Sequence, residues 1–177
     1  MLKAKNVEKA LDKFGKAVVQ QSRSRLTKTS SNFSKELYNS IGYDKQVSKG
    51  GKSFSFSFEM EDYGMFQDQG VKGVGGVRKS TSLFNRRNNK GKLWKQKAPK
   101  DTPFSYKEGK KPSVKHFEKW AKAKGLSPFA VREVVYHEGL KAKKFFTTSF
   151  EQQFAKLPDE IVEAFNLDLD NFLDFTT

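Results

Sequence analysis

The sequence predicts an α+β fold: a small antiparallel sheet packed by an N-terminal helix and by C-terminal helices, with one long basic loop excursion. Three observations carry this expectation. Residues 53–60 alternate polar and apolar, the two-residue period of a half-buried strand, which puts Phe54, Phe56, Phe58 and Met60 on one face. On a helix the same four side chains would spread around the cylinder. Residues 3–28 repeat apolar side chains at helical intervals, and so does the chain beyond Pro112. Burying a Phe contributes roughly 1.5–3 kcal/mol, so the Phe face demands a covering layer.

Residues 3–28 read as a helix with Val7, Leu11, Phe14, Val18 and Leu26 at helical spacings, Ala10 and Ala17 beside them, and Lys or Arg elsewhere. Gly15 weakens that helix by about 1 kcal/mol relative to Ala. Ser30-Ser31-Asn32 breaks it. Phe33, Leu37 and Ile41 then recur every fourth residue, as a short second helix or as a continuation of the first, and Gly42 ends the pattern. Residues 43–48 are the expected antiparallel partner of the Phe strand, although the alternation of Tyr43, Lys45 and Val47 is weak. Lys49-Gly50-Gly51-Lys52 joins the two strands, and Gly-Gly suits a tight hairpin loop.

Tyr63-Gly64-Met65-Phe66-Gln67-Asp68-Gln69-Gly70-Val71-Lys72-Gly73 follows. Gly70 and Gly73 would permit positive φ at a sharp exit from the sheet. Tyr63 and Phe66 would cover one end of the Phe face, and Asp68 would hydrogen-bond turn amides. Residues 71–112 show no convincing period, are rich in Gly and Pro, and hold Leu83-Phe84 and Leu93-Trp94 as their only apolar pairs. A structureless segment of that length is functional, or disordered until it meets a partner. Pro112-Ser113 opens a helix striped by Val114, Phe117, Trp120 and Ala121 and closed by Lys124-Gly125. Ser127-Pro128 starts another, carrying Phe129, Val131, Val134 and Val135, with Tyr136 as a further candidate, which ends at Gly139. A basic link, 140–144, leads to Phe145 and Phe146, which would lock the last helices onto the sheet. The final helix, 157–177, is amphipathic and acidic.

A chain of 177 residues suits one domain, 1–177, with room for a real core. Only 36% of the residues are apolar, so the 17 Phe must supply much of that core. The absence of cysteine excludes disulfides and Cys-based metal sites. No apolar run approaches the ~18 residues of a membrane span, and residues 1–8 lack the apolar segment of a signal peptide. The expectation is a soluble protein without a membrane partner.

The formal charge is +14, and its distribution matters more than its sum. Residues 71–124 hold 17 Lys or Arg against Asp101, Glu108 and Glu118, whereas residues 151–177 hold Lys156 against seven acids. That asymmetry suits a polyanion, an acidic partner, or head-to-tail contact between copies. As a phosphate-facing arm the basic segment would use Arg78, Lys79, Arg86, Arg87, Lys90, Lys92, Lys95 and Lys97. Aromatics are sparse among them, so sequence-independent charge neutralisation fits better than base stacking. A solvated surface with no such role is the plainer alternative.

Catalytic patterns fail one by one. His137-Glu138 begins a zinc-protease motif whose second histidine falls on Lys141. Gly73-Val74-Gly75-Gly76-Val77-Arg78-Lys79-Ser80 nearly spells a phosphate-binding loop, but Arg78 replaces the glycine needed for close backbone approach. Asp168, Asp170 and Asp174 lack the glycine of a calcium loop, and read as a solvated helix face. The expectation is a non-enzymatic protein with no cofactor and no metal.

The order of motifs resembles the neck and tail-completion proteins of tailed bacteriophages, the group that includes the lambda-type minor tail protein Z. Leu37-Tyr38-Asn39-Ser40-Ile41 is similar to that family's Leu-x-x-Ser-Ile, and the Phe-rich strand comes next. Residues 63–73 are similar to its Tyr-x-x-Tyr-x-Asp-x-Gly-Val-Lys-Gly. Phe117-x-x-Trp120 with Lys124-Gly125-Leu126 resembles its mid-chain helix, and His137-Glu138-Gly139-Leu140 before Phe145-Phe146 resembles its later block. The resemblance implies a structural virion protein of the head–tail junction. Such a protein is a ring of identical copies linking portal and head-completion proteins to the tail, close enough to channel DNA to touch it. The runner-up is a non-specific nucleic-acid-binding protein that uses residues 71–124.

Overall fold

The computed structural model describes residues 4–29, 35–48, 53–78 and 92–174. In chain order the described elements are α1 (Lys5–Lys28), α2 (Glu36–Ser40), β1 (Gly42–Val47), β2 (Phe54–Glu59), α3 (Tyr63–Gln69), β3 (Val77–Arg78), β4 (Lys92–Leu93), α4 (Lys115–Ala123), α5 (Pro128–Glu138), α6 (Thr147–Phe154) and α7 (Leu157–Asp174). The class is α+β with small antiparallel sheets, β1 with β2 and β3 with β4. Where length suggests one domain, the chain groups into two compact units: Met1–Gly64 together with Lys144–Thr177, and Met65–Lys143. No helix among the described residues is long and apolar enough to cross a membrane.

The first unit is built on α1. Val7, Leu11, Phe14, Val18 and Leu26 are all buried, as their spacing requires. The hairpin pairs Tyr43 with Phe58, Lys45 with Phe56 and Val47 with Phe54, so the weak inner face of β1 is the partner of the strong one of β2. Lys45 is tolerated there because its stem runs along the sheet while its ammonium reaches Asp12 at 3.0 Å and the Glu8 carbonyl at 3.1 Å. Phe14 of α1 meets Phe56, Phe58 and Phe150 edge-on at 5.3, 5.9 and 6.0 Å. Such edge-to-face pairs add about 0.5–1.5 kcal/mol each beyond area burial. Phe58 continues to Phe146 at 5.2 Å, and Phe145 is fully buried beside Leu26, Leu37 and Ile41. Phe145 and Phe146 therefore do fasten the C-terminal helices to the hairpin. Tyr63 packs into the same cluster.

Gly15 has a second meaning that helix propensity does not show. A Cβ there would lie 2.7 Å from Phe56 Cζ and from Tyr43 Cδ2. The missing side chain lets the aromatic hairpin rest directly on α1. Tyr43 and Phe56 stack at 5.3 Å over that position, and the Tyr43 hydroxyl donates to Asp12 at 3.0 Å. The Lys45 ammonium, with Tyr43, holds the Asp12 carboxyl below its usual range.

Three expectations are corrected. Phe54 shares the inner face but is exposed, because the strand end overhangs an open groove of about 660 Å³ lined by Val7, Ile161, Val162 and Phe165. Phe66 falls in the second unit, where it packs edge-on to Phe104 at 4.8 Å. Asp168 is not solvated. It is buried on α7 and accepts from the Asn6 amide at 3.0 Å and the Val7 amide at 3.1 Å, which caps the open N-terminus of α1. With Lys13 paired to Glu160 at 2.8 Å, α7 runs antiparallel to α1, and part of the acidic tail is matched inside its own unit.

Loss of that cap leaves the buried Val7 amide and the part-buried Asn6 amide without their acceptor. Charge-assisted bonds are worth about 1.5–3 kcal/mol, so Asp168→Ala should lower stability by roughly that amount. Asp170→Ala, on the exposed side of α7, should stay within about 0.5 kcal/mol. Chemical denaturation followed by helical circular dichroism compares the two; equal small losses would remove the capping role.

Candidate functional site

Charge singles out the second unit. Residues 65–143 hold 20 Lys or Arg and 6 Asp or Glu, a formal +14, while the rest of the chain balances 14 against 14. The whole net charge of the protein thus belongs to one of its two units.

This unit is held together in a different way from the first. Both apolar clusters among the described residues lie in the first unit. The second closes through a backbone clasp between residues 70–76 and 136–140. Val71 and Leu140 exchange amide–carbonyl bonds at 3.0 and 2.8 Å, the Val74 amide donates to the Tyr136 carbonyl at 3.0 Å, and the Gly75 amide to the His137 carbonyl at 3.0 Å. The Lys72 amide donates to the Phe104 carbonyl at 2.8 Å, and the Tyr106 amide to the Lys72 carbonyl at 2.9 Å. Gln96 acts as a substitute strand. Its Oε1 accepts from the Gly73 amide at 3.0 Å, and its Nε2 donates to the carbonyls of Gly73 and His137 at 2.9 and 3.1 Å. The Thr102 hydroxyl donates to the Gly70 carbonyl at 2.8 Å.

The clasp explains the motif at 63–73, with one correction. Gly70 has φ of 78°, as expected of a turn exit. Gly73 is not left-handed; a Cβ there would collide with the His137 carbonyl and sit 2.5 Å from the Gly139 amide. Its role is close approach of two backbones. Asp68 is fully buried at the start of this path. Residues 63–69 form helix α3, which leads into this path.

The expected phosphate-facing residues divide. Lys79, Arg86, Arg87 and Lys90 lie outside the described residues. The backbones of Arg78 and Lys92 are partners in the β3–β4 register. Lys95 is exposed, and Lys97 forms an ion pair with Glu138. The flanks of the expected excursion, 71–78 and 92–112, are thus built into the clasp. Trp94 stacks on His137 at 5.1 Å, and His137 Nδ1 lies 2.7 Å from the Gly75 carbonyl oxygen, so that histidine has a structural place. No group of three or more His, Cys, Asp or Glu among the described residues is placed to hold a metal ion.

Two features go beyond the apolar stripes read from the sequence. Tyr136 is buried with its hydroxyl accepting from the Gly109 amide at 2.8 Å, which pins the basic turn at 107–111. Trp120 on α4 and Phe129 on α5, expected on apolar stripes, are exposed instead, as is Leu126 between the two helices, and Lys115, Lys119 and Lys122 recur at helical spacing on α4. Glu133 receives Lys111 at 2.8 Å and Arg132 at 2.8 Å, and these cations hold its carboxyl below the usual range. Burial pushes the Lys143 ammonium down; it donates to Gln67 Oε1 at 2.9 Å.

No protein-family model, curated protein or solved structure matches the chain.

Both tryptophans, Trp94 and Trp120, lie in the second unit, so tryptophan fluorescence reports that unit alone. Gly73→Ala should shift the fluorescence transition to lower denaturant by about 3 kcal/mol or more, as overpacking against backbone does. The helical signal dominated by α1 and α7 should move little. Glu133 supplies a pH test. Its depressed folded pKa makes its contribution full above the ordinary value of 4.5 and lost as pH falls through the lower folded value. Glu133→Gln should flatten the acid slope of the fluorescence transition in that window and lower stability by a constant amount from there to neutrality.

Proposed function

We propose that the protein is a structural component of the bacteriophage head–tail junction, a neck or tail-completion protein that works as a ring of copies between portal and tail. The observation that carries this reading is the separation of charge: one unit is neutral with an aromatic core, and the other holds the full +14. A ring needs a rigid building block and, where it surrounds channel DNA, a cationic lining that neutralises phosphates without reading sequence. The order of motifs from Leu37 to Phe146 supports the same reading by resemblance. In a ring each copy contributes a few charges, and weak contacts suffice because the DNA is already confined.

Electron microscopy of the parent particle labelled with antibody against this chain tests the location; label at the neck is expected, and label confined to capsid or tail fibre would refute it. The free protein should bind duplex DNA weakly and without sequence preference at physiological salt. Each phosphate neutralised contributes about −0.9 to the log–log salt slope, so replacing Arg86, Arg87, Lys90 and Lys92 with Gln should flatten it by up to about 3.6. The second reading, a free nucleic-acid-binding protein, is favoured by the same +14 unit. Tight binding by the isolated protein, with no label on particles, would establish it instead.

A further inference from the structure

We infer that copies of this chain join head to tail, the outer face of α7 of one copy seating on the α4–α5 turn of the next. The inference deepens the ring reading above and rests on it for closure of the ring. On α7, Val162, Asn166, Leu169 and Leu173 are spaced by four, three and four residues, the interval of a helix seam, and all four are exposed. Val162 is 62% exposed although it borders the groove beneath Phe54. The buried side of the same helix carries Leu157, Ala164 and Asp168, so Val162 and Leu169 lie on a second, exposed apolar stripe. Asp159, Glu163 and Asp170 run along one flank of it. A polar Asn within such a seam fixes register at some cost in stability.

The α4–α5 turn has the matching character. Phe129 is 62% exposed and Leu126 49%, Trp120 on α4 is exposed as well, and the exposed Lys122 and Lys124 closely precede Leu126 in the chain. The Arg132 guanidinium lies 5.6 Å over the Phe129 ring. A phosphate backbone has no use for three exposed apolar side chains, whereas an acidic, apolar helix does. Pairing α7 with another α7 would oppose acids to acids, and pairing the turn with itself would oppose lysines to lysines. Only the unlike combination brings both apolar patches and both charges together, and such a heterologous contact propagates into a ring or a filament.

The chain has no cysteine, so a Leu169→Cys, Phe129→Cys double variant of the full protein reports this contact cleanly. Mild oxidation at high protein concentration and low salt should give a ladder of dimers, trimers and larger species. The ladder should weaken severalfold in about 1 M salt, where the screening length falls to about 3 Å. Adding Glu163→Lys and Asp170→Lys should abolish it, and mixing that protein with a copy carrying Lys122→Glu and Lys124→Glu should restore crosslinked pairs. Absence of a ladder at every salt, equal crosslinking by Leu169→Cys alone, or indifference to charge reversal would overturn the inference. Neck labelling without a ladder would leave the location standing and remove this contact; a ladder without neck labelling would do the reverse.

Discussion

The first unit depends on the bare backbone of α1 at Gly15. A two-stranded sheet is too small to stand alone and must lie flat on something. Here Tyr43 and Phe56 lie directly over the one position of α1 that has no side chain. That approach brings Phe14 into edge-on contact with both Phe56 and Phe58, and the aromatic chain then continues through Phe146 and Phe150 into α6. The helix tolerates the propensity loss of about 1 kcal/mol because the packing it permits is worth several times as much. Asp168 secures the same helix at its N-terminus, so α1 is held along its length by hairpin and by α7.

Much of this unit was legible because it is periodic. The 3.6-residue period of α1 and the two-residue period of β2 name the buried side chains one by one. What the periods could not show is where a stripe ends: Phe54 continues the alternation yet lies exposed, since burial depends on what stands opposite and not on the pattern. Asp168 was equally hidden, because the amides it caps lie some 162 positions away in sequence. The clasp of the second unit was illegible for a related reason. Backbone-to-backbone pairing, with Gln96 standing in for a strand, leaves no side-chain rhythm to read. The glycine at 73 and the polar run around it looked like loop chemistry, and only the position of His137 and Gly139 shows why a Cβ is excluded there. Four of the eight expected phosphate-facing cations, Lys79, Arg86, Arg87 and Lys90, fall outside the described residues, whereas the backbones of Arg78 and Lys92 are partners in the β3–β4 register.

The division of charge gives these two modes of construction a purpose. The neutral unit has an apolar core and internally matched ion pairs such as Lys13–Glu160 and Lys45–Asp12. Most described lysines of the cationic unit are exposed, Lys143 being partly buried, on a frame of main-chain bonds that needs few apolar residues. Twenty like charges on fewer than half of the residues repel one another, and that cost opposes whatever the clasp contributes. A cationic surface of this kind is relieved by a polyanion or by acidic faces of neighbouring copies, which is what the proposed ring would supply.

The central claim is that one chain carries two units of different make, a robust aromatic one and a weaker clasped one. Native-state hydrogen exchange, read amide by amide, tests it directly. The amides of Leu11, Phe14 and Val18 in α1 should open only with global unfolding. Those of Val71, Lys72, Val74 and Leu140 should open together at a distinctly lower free energy, and added polyanion should raise the second group without moving the first. A single opening free energy shared by both groups would contradict the account.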